Sequence, residues 1–466
     1  MTRRANTTDY RGQRVLLVGL GVQGGGVATV RWLVKQGASV RVTDTKTAVD
    51  LAESLKKLRG VHATFHLGGY RPQDWRWAQR IVVNPGVSPS THPQVATAER
   101  RGVSIDNEAS IFLRQFSGTS IGVTGTRGKT TTTLLLGAIL KRAHRNTIVS
   151  GNVRQVAMLE YLPRTTPSTW AVLELSSYQL ERLPVPDHPM HVAVMTNLKV
   201  DHVSRHGSMS AYAQAKYNIF RGQTLSDAKI LNWNDSACRQ AAKIGRGQVI
   251  WFGTSLPKHA NGVTVKNTWV IEQQSKKITK LFPLSIWKLP GQHNLENLLA
   301  AVAAARAMNI SLSIIKKTVS QFHGLPYRQE LIRTVRGHQF INDTAATSPD
   351  AALAALAIYP RGVYIVGGID KQLDFKPLVR EIIQKNIATV FLPGSATVKA
   401  QQALRTLHYR QPLITVHSMK AAVKTAVAIA KPKQAIILSP GAASFGLFIH
   451  EFDRGDQFTE AVKKLS

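Results

Sequence analysis

Short apolar runs alternate with amphipathic stretches along most of the chain, and this alternation predicts the fold class. Residues 14–18 and 39–43 have the pattern of buried strands, and residues 24–36 between them have the pattern of a helix. The same order returns at 120–124, 129–144 and 170–175, and then at 362–366, 375–384, 389–392 and 435–438. Strands that alternate with helices of these lengths are typical of parallel sheets covered by helices on both faces. The sequence therefore predicts an α/β protein.

The length of 466 residues corresponds to about three domains at ~150 residues each. Two boundaries are indicated, at Phe116–Thr119, before a new strand, and at His323–Pro326, after the helical stretch 292–321. We predict domains at 1–117, 118–324 and 325–466.

Composition narrows the class of protein. Hydrophobic residues make up 43% of the chain, which excludes a disordered or fibrous protein. The single cysteine, Cys238, allows no internal disulfide. The longest apolar runs are about half of the ~20 residues that a membrane-spanning helix needs. We expect a cytoplasmic protein without a membrane partner.

The net charge of +33 is unusual for a chain of this composition. Such a field attracts phosphate-bearing substrates and polyanions. The basic residues are dispersed, however, so a solvated surface is favoured over a dedicated binding tail, and nucleic acid is expected only as a nonspecific partner.

The first glycine loop, Gly19-Leu20-Gly21-Val22-Gln23-Gly24, matches G-x-G-x-x-G and follows a predicted strand. Asp44 lies twenty residues beyond Gly24, at the end of the next strand. Free backbone N–H groups and a helix N-terminus make such a loop an anion site. The pattern alone indicates NAD or FAD, although a lone fingerprint of this kind is weak.

The second glycine loop is Gly125-Thr126-Arg127-Gly128-Lys129-Thr130, between a predicted strand and a predicted helix. A strict P-loop requires glycine where Val123 stands. The chemistry of the loop is nevertheless complete. Gly125 and Gly128 let the backbone wrap around phosphates, Lys129 supplies a charge and Thr130 supplies a hydroxyl for Mg²⁺. ATP binding is predicted.

This loop resembles that of the Mur ligase superfamily, which also includes folylpolyglutamate synthases. Further segments resemble its glutamate-adding members in the same order from about residue 14 to 460: 173–181, Gly151-Asn152, 197–202, Ala215-Lys216, 291–294 with Asn297, 324–328, Asn342-Asp343 with Thr347, Gly367-Gly368 with Lys371, and 438–444. The resemblance implies Rossmann-like first and third domains around a central P-loop ATPase-type parallel sheet.

The resemblance also implies a reaction. ATP phosphorylates the carboxylate of UDP-N-acetylmuramoyl-L-alanine, and the amine of glutamate displaces phosphate from the acyl phosphate, in peptidoglycan precursor synthesis. Lys129, His202 and Lys216 are the implied catalytic residues, with Lys216 carbamylated. Mg²⁺ would be held by Thr130, Glu174, His202 and Lys216. ATP would be bound by Gly125, Thr126, Gly128, Lys129, Thr130, Thr131, Asn294, Asn297, Arg328 and Asp343.

The first glycine loop is then reassigned to the uridine diphosphate substrate. The implied contacts are Gly21, Val22, Gln23, Asp44, Thr45, Lys46, Asn152 and His202. The incoming glutamate would be bound by Thr347, Lys371 and Ser444. We expect a monomer acting on small molecules.

One departure from the resemblance concerns this amino acid. Members that add D-glutamate usually carry a lysine where Ala345 stands, and a related subfamily adds L-glutamate. Losing a charge-assisted contact to a carboxylate costs about 1.5–3 kcal/mol. The stereochemistry of the glutamate therefore stays open at this point.

Two other hypotheses remain. A nicotinamide-dependent oxidoreductase would use Gly19–Gly24 and Asp44, but it leaves Gly125–Thr130 unexplained. A polyanion-binding protein on a retired ligase fold would account for the charge, but not for the presence together of Lys129, Glu174, His202 and Lys216.

Overall fold

The computed structural model describes residues 9–465 except 23, 88–91, 154–155, 184–188, 202, 276 and 445, and except the side chains of 203–204. Its contacts divide the chain into two compact units. The first comprises residues up to 288 together with 292–322, and the second comprises 289–291 and 323 onward. Apart from residues 289–291 and 323–324, the first two predicted domains thus lie within one unit, and the exact domain boundaries stay predictions.

The first sheet, in the first unit, has five parallel strands in the order β3-β2-β1-β4-β5. The strands are β1 (Arg14–Val18), β2 (Ser39–Asp44), β3 (Ala63–Leu67), β4 (Arg80–Val83) and β5 (Ser104–Asp106). The helices are α1 (Gly25–Lys35), α2 (Ala52–Lys57), α3 (Pro72–Trp77), α4 (Pro93–Arg100) and α5 (Glu108–Gln115). Loops after β1 and β4 diverge at the point where the strand order reverses, which is where α/β sheets bind ligands.

The second sheet, also in the first unit, has nine strands in the order β14-β13-β12-β11-β10-β9-β6-β8-β7. The strands are β6 (Thr119–Thr124), β7 (Thr147–Gly151), β8 (Trp170–Glu174), β9 (Val192–Met195), β10 (Ala228–Asn232), β11 (Gln248–Phe252), β12 (Gly262–Lys266), β13 (Trp269–Gln274) and β14 (Lys277–Pro283). The helices are α6 (Lys129–Arg142), α7 (Met158–Tyr161), α8 (Ser177–Leu180), α9 (Val203–His206), α10 (Met209–Tyr217), α11 (Ser236–Ala241), α12 (Gln292–Ala307) and α13 (Leu312–Gln321).

The second unit contains a six-stranded sheet in the order β15-β16-β20-β17-β18-β19. Its strands are β15 (Glu330–Val335), β16 (His338–Asn342), β17 (Val363–Gly367), β18 (Thr389–Leu392), β19 (Ile414–Thr415) and β20 (Ile436–Leu438). Its helices are α14 (Pro349–Ile358), α15 (Lys376–Gln384), α16 (Ser395–Thr406), α17 (Met419–Ile429) and α18 (Glu451–Lys463).

The predicted α/β class is confirmed, and strands β1 and β18 begin and end where the pattern placed them. The prediction of parallel sheets is incomplete. Strands β12, β13 and β14 pair antiparallel, as do β15 and β16. The edge strand β14 exposes its first four residues, so it lacks the apolar run by which buried strands are recognised.

The helices cover apolar strand residues on both faces of the sheets. In helix α12, residues 297–305 are buried, and five of them are alanines. Small side chains allow this helix to approach α6 and the strands beneath it. Over the described ranges, no helix is long and apolar enough to cross a membrane.

Candidate active site

The second glycine loop connects β6 to α6 at the carboxyl edge of the central sheet. Gly125 and Gly128 have φ angles of 143° and 85°, which disfavour a side chain. A Cβ atom would lie 1.9 Å from Thr196 Oγ1 at Gly125 and 2.1 Å from Asn297 Oδ1 at Gly128. Both glycines are therefore required by backbone conformation and by close packing.

Two residues after β9 hold this loop from the side. Asn197 Oδ1 accepts from the Arg127 N–H at 3.0 Å, and Asn197 Nδ2 donates to the Arg127 carbonyl at 3.1 Å. Thr196 Oγ1 donates to the same carbonyl at 2.6 Å. The loop conformation is thus fixed before any phosphate binds. Our sequence analysis missed Thr196, and its only signal is a threonine directly after a buried strand.

The amino end of α6 offers the groups expected of an anion site. No side chain caps the helix at Gly128. Lys129 Nζ donates to the Thr126 carbonyl at 3.0 Å, so the ammonium lies against the loop. Thr130 is half-buried and Thr131 is buried in the first turn. Backbone N–H groups and the helix dipole together favour a phosphate at this position.

Helix α12 brings the two predicted asparagines to this loop. Asn297 is buried, and its amide oxygen lies beside Gly128. Asn297 Nδ2 is 3.5 Å from Asn294 Oδ1, so the two side chains lie on one face of the helix, as their separation by three residues indicated.

Glu174, the last residue of β8, is buried with 1% exposure. Its Oε1 accepts from Asn152 Nδ2 at 2.9 Å. Its Oε2 has no hydrogen-bond partner among the described residues. A buried carboxylate oxygen without a donor is costly unless a cation faces it. Glu174 therefore fits the predicted Mg²⁺ ligand, and Asn152 orients it.

Lys216 on α10 lies beneath the phosphate loop with 1% exposure. Its Nζ donates to the Gly125 carbonyl at 2.8 Å and lies 4.7 Å from the centre of the Tyr212 ring. Burial, and then the charge of Lys129, lower the pKa of the Lys216 ammonium well below its ordinary value. The unmodified amine is a hydrogen-bond donor here and does not itself fit a metal site.

Tyr212, one turn before Lys216 on α10, is a further residue that our sequence analysis missed. Its hydroxyl lies 3.2 Å from Thr126 Oγ1, and the Lys199 N–H donates to that same oxygen at 2.9 Å. The predicted ligand His202 lies outside the described residues, as does Gln23. Within the described part of the chain, no group of three His, Cys, Asp or Glu residues forms a metal cluster.

The first glycine loop follows β1 and is closed by Asp44. Asp44 Oδ2 accepts from the Gly21 N–H at 3.1 Å, and Oδ1 accepts from the Lys46 N–H at 2.9 Å. Asp44 stands where a dinucleotide-binding fold has the acidic residue that binds ribose, but here its carboxylate accepts hydrogen bonds from backbone N–H groups of the protein. Val22 is 55% exposed, and Thr45 and Lys46 are exposed at the same edge.

In the second unit, Asp343 follows β16. Burial raises the pKa of its carboxyl to about 7, against the opposing effects of Ser439, the Gln329 N–H and Arg328. Ser439 Oγ donates to Asp343 Oδ2 at 2.8 Å. Arg328 is exposed in the same unit.

The three predicted glutamate contacts of the second unit lie on loops that bond to each other. Lys371 Nζ donates to Thr347 Oγ1 at 3.3 Å. The buried Ser444 Oγ has no hydrogen-bond partner among the described residues. Its loop is joined to that of Thr347 by a bond from the Gly441 N–H to the Ala346 carbonyl at 2.8 Å.

Comparison with protein families matches three successive parts of the chain. Residues 13–106 match the Mur ligase MurD-like N-terminal domain, 123–305 the Mur ligase middle domain and 327–442 the Mur ligase glutamate ligase domain. The chain belongs to the Mur ligase family. It is therefore an ATP-dependent ligase that forms an amide bond, and the predicted ligase activity and its link to peptidoglycan synthesis are confirmed. Mur ligases use ATP and Mg²⁺.

Two relatives span nearly the whole of this Mur ligase. A protein from Roseiflexus sp. named UDP-N-acetylmuramoylalanine–D-glutamate ligase is 40% identical over 98% of this chain and 99% of its own length. A protein of the same name from Koribacter versatilis is 34% identical over 98% and 99%.

Solved structures of this family share the fold. MurC from Thermotoga maritima, a UDP-N-acetylmuramate–alanine ligase, has a TM-score of 0.59 at 18% identity and covers 97% of this chain and 99% of its own. MurF from Acinetobacter baumannii has a TM-score of 0.57 at 18% identity, over 96% and 93%.

Proposed function

We propose that this Mur ligase joins D-glutamate to UDP-N-acetylmuramoyl-L-alanine in the synthesis of the peptidoglycan precursor. The observation that carries the proposal is the grouping of Lys129, the unpartnered Glu174 Oε2 and Lys216 around one phosphate loop. The names of the full-length relatives support D-glutamate rather than L-glutamate.

The phosphate loop would bind and orient ATP. Gly125, Thr126, Gly128 and Thr131 would contribute backbone groups, and Lys129 would neutralise charge on the transferred phosphoryl group. Asn294, Asn297, Arg328 and Asp343 complete the proposed ATP set. No acid or base has to act on the γ-phosphate, because positioning and electrostatic stabilisation supply most of the catalysis of phosphoryl transfer.

Thr130, Glu174 and His202 are the proposed Mg²⁺ ligands, with Lys216 as a fourth once it is modified. Mg²⁺, when bound, neutralises the negative charge that develops on the phosphates. Asn152 would hold Glu174 in place through its bond to Oε1. His202 belongs to this proposal through family resemblance.

Lys216 is proposed to be carbamylated. Its lowered pKa favours the neutral amine, which attacks CO₂; a nitrogen–carbon bond forms and a proton leaves. The product is an anion, so the modified side chain fits a cation site that the free ammonium would repel. Labelled CO₂ should give a carbamate signal by NMR in the wild type and in Lys129→Ala. The same signal in Lys216→Ala would overturn the assignment.

The remaining contacts extend the proposal to the other two substrates. Gly21, Val22, Gln23, Asp44, Thr45 and Lys46, with Asn152 and His202, are proposed for the UDP-sugar. Thr347, Lys371 and Ser444 are proposed for glutamate. A monomeric, cytoplasmic enzyme is part of the same proposal.

The test is phosphate release from ATP with UDP-N-acetylmuramoyl-L-alanine, comparing D-glutamate with L-glutamate at equal concentration. Turnover with the D isomer alone is expected, despite alanine at position 345. Turnover only with the L isomer would overturn the stereochemical part, and no turnover with either, while ATP still binds, would overturn the proposed function. Lys129→Ala provides the inactive control.

A further inference from the structure

A buried guanidinium lies beside the loops of the second unit that carry the proposed glutamate contacts. Arg454, on α18, is completely buried. Its Nε donates to Thr344 Oγ1 at 2.9 Å, its Nη2 to the Thr344 carbonyl at 3.0 Å and its Nη1 to the Ala442 carbonyl at 3.1 Å. Its side chain thus joins two loops at three points.

No carboxylate among the described residues forms an ion pair with this guanidinium. Burial lowers the pKa of Arg454 to about 10, and the charge of Glu451 opposes this shift. In the first unit, by contrast, the buried Arg80 is paired with Asp106 at 2.7 Å. A buried cation with no paired carboxylate carries a desolvation cost, and its charge is left to attract an anion that binds beside it.

The loops that Arg454 joins are those of Thr347 and Ser444. Thr344 lies three residues before Thr347, and Ala442 lies two residues before Ser444. The loop of Lys371 is bonded to the loop of Ser444, because Ile369 and Ala443 exchange backbone hydrogen bonds of 2.9 and 3.1 Å. The guanidinium therefore ties the loops of Thr347 and Ser444 together, and backbone hydrogen bonds join the loop of Lys371 to the loop of Ser444.

We propose that Arg454 is a positioning residue for the amino-acid substrate: it holds the loops 344–347 and 442–444 together and supplies buried positive charge for an incoming dicarboxylate. The inference rests on the proposed function and deepens it. It also gives a reason why alanine is tolerated at 345, since Lys371 is not then the only cation serving this site.

Lys229 in the first unit offers a matched control. It too is buried, and its Nζ bonds only to backbone carbonyls, those of Ala242 at 2.7 Å, Ile244 at 3.1 Å and Gly245 at 3.3 Å. These carbonyls lie at the carboxyl end of helix α11 and in the turn that follows it. Lys229 therefore caps this helix end and has a structural role alone.

The experiment compares Arg454→Met, Arg454→Lys and Lys229→Met with the wild type. Melting temperature and the KM values for D-glutamate, ATP and the UDP-sugar are measured for each. Arg454→Met should raise the KM for D-glutamate about tenfold to a hundredfold, the range of a lost charge-assisted contact, and change the other two KM values less than about twofold. Arg454→Lys keeps the charge but loses the planar guanidinium, so its KM for D-glutamate should lie between that of the wild type and that of Arg454→Met. Lys229→Met should lower only the melting temperature.

If Arg454→Met does not fold, the test is made with Arg454→Lys, whose KM for D-glutamate should rise more than its KM values for ATP and the UDP-sugar. A uniform fall in kcat, or equal changes in all three KM values, would show a purely structural role and overturn the inference. A wild-type enzyme that does not use glutamate at all would instead overturn the proposed function, and the two failures are thereby distinguished.

Discussion

The two glycine loops of the first unit both connect a buried strand to a helix that begins after a left-handed glycine, yet they are built differently. At α1 the loop is closed by a carboxylate, since Asp44 accepts from the Gly21 N–H. At α6 it is held by neutral side chains from other elements and carries its own cation, Lys129. The space around the two capping glycines also differs: Gly24 faces open space and Gly128 faces Asn297.

This difference shows that a glycine pattern identifies an anion-binding loop but not its task. A loop with a lysine in its first helical turn can stabilise charge that develops on a transferred phosphoryl group. A carboxylate bonded to the loop, as at Asp44, supplies no positive charge for such stabilisation. This contrast supports the proposal that phosphoryl transfer takes place at the second loop and that the first loop binds the UDP-sugar.

The largest effect should come from Lys129→Ala. Removing the charge from the phosphate loop should lower phosphate release by about 10²–10³-fold, the usual consequence of losing one preorganised electrostatic contact. Affinity for the UDP-sugar, measured by calorimetry, should stay within about twofold, because that substrate is assigned to the other loop. Loss of both phosphate release and UDP-sugar affinity in Lys129→Ala would contradict the assignment of ATP and the UDP-sugar to different loops.

Gly128→Ala should have the next largest effect. The new Cβ would lie 2.1 Å from Asn297 Oδ1 in a backbone with a φ angle of 85°. Left-handed strain alone costs about 1–2 kcal/mol, and displacement of Asn297 adds to it. We expect the KM for ATP to rise about tenfold or more. An unchanged KM for ATP would show that Asn297 does not shape the ATP site.

Asp44→Asn should have a moderate effect confined to the first loop. Bonds from N–H groups to a carboxylate are roughly twice as strong as those to a neutral amide, so about 1 kcal/mol is lost. The KM for the UDP-sugar should rise about fivefold while that for ATP does not change. Quenching of NADH fluorescence by the wild type, abolished in Asp44→Asn, would instead revive the oxidoreductase hypothesis.

Gly24→Ala should have the smallest effect. The φ angle of Gly24 is 94°, but nothing lies within 4 Å of the added Cβ. Only backbone strain of about 1–2 kcal/mol is expected. We expect the melting temperature to fall by a few degrees and the kinetics to stay near normal. An effect on turnover as large as that of Gly128→Ala would contradict the inferred difference in the space around the two glycines.

The parallel strands and the phosphate loop could be predicted because their signals are local. Arg14–Val18 is a continuous apolar run, and Gly-Lys-Thr is contiguous in the chain. Thr196 and Tyr212 could not be predicted, since they reach the loop from about 70 and 86 positions away. The strand that carries Glu174 was predicted, whereas the unpartnered oxygen of its carboxylate was found only in the structure.

Lys216 and Arg454 show the other limit of sequence reasoning. Charged residues in amphipathic helices are normally solvated, and only tertiary packing buries these two. Resemblance drew attention to Lys216, whereas the sequence offered no signal for Arg454.

The lysines of the edge strand β14 have a consequence for how copies of this enzyme meet. An uncovered strand edge offers unpaired backbone groups to any other strand, and two such edges can join into a continuous sheet. Residues 277–280 are exposed there, and Lys277 and Lys280 bring two positive charges to the edge. A second copy approaching edge to edge would place like charges side by side. We expect this part of the excess positive charge to disfavour edge-to-edge association, at a place remote from the glycine loops in sequence.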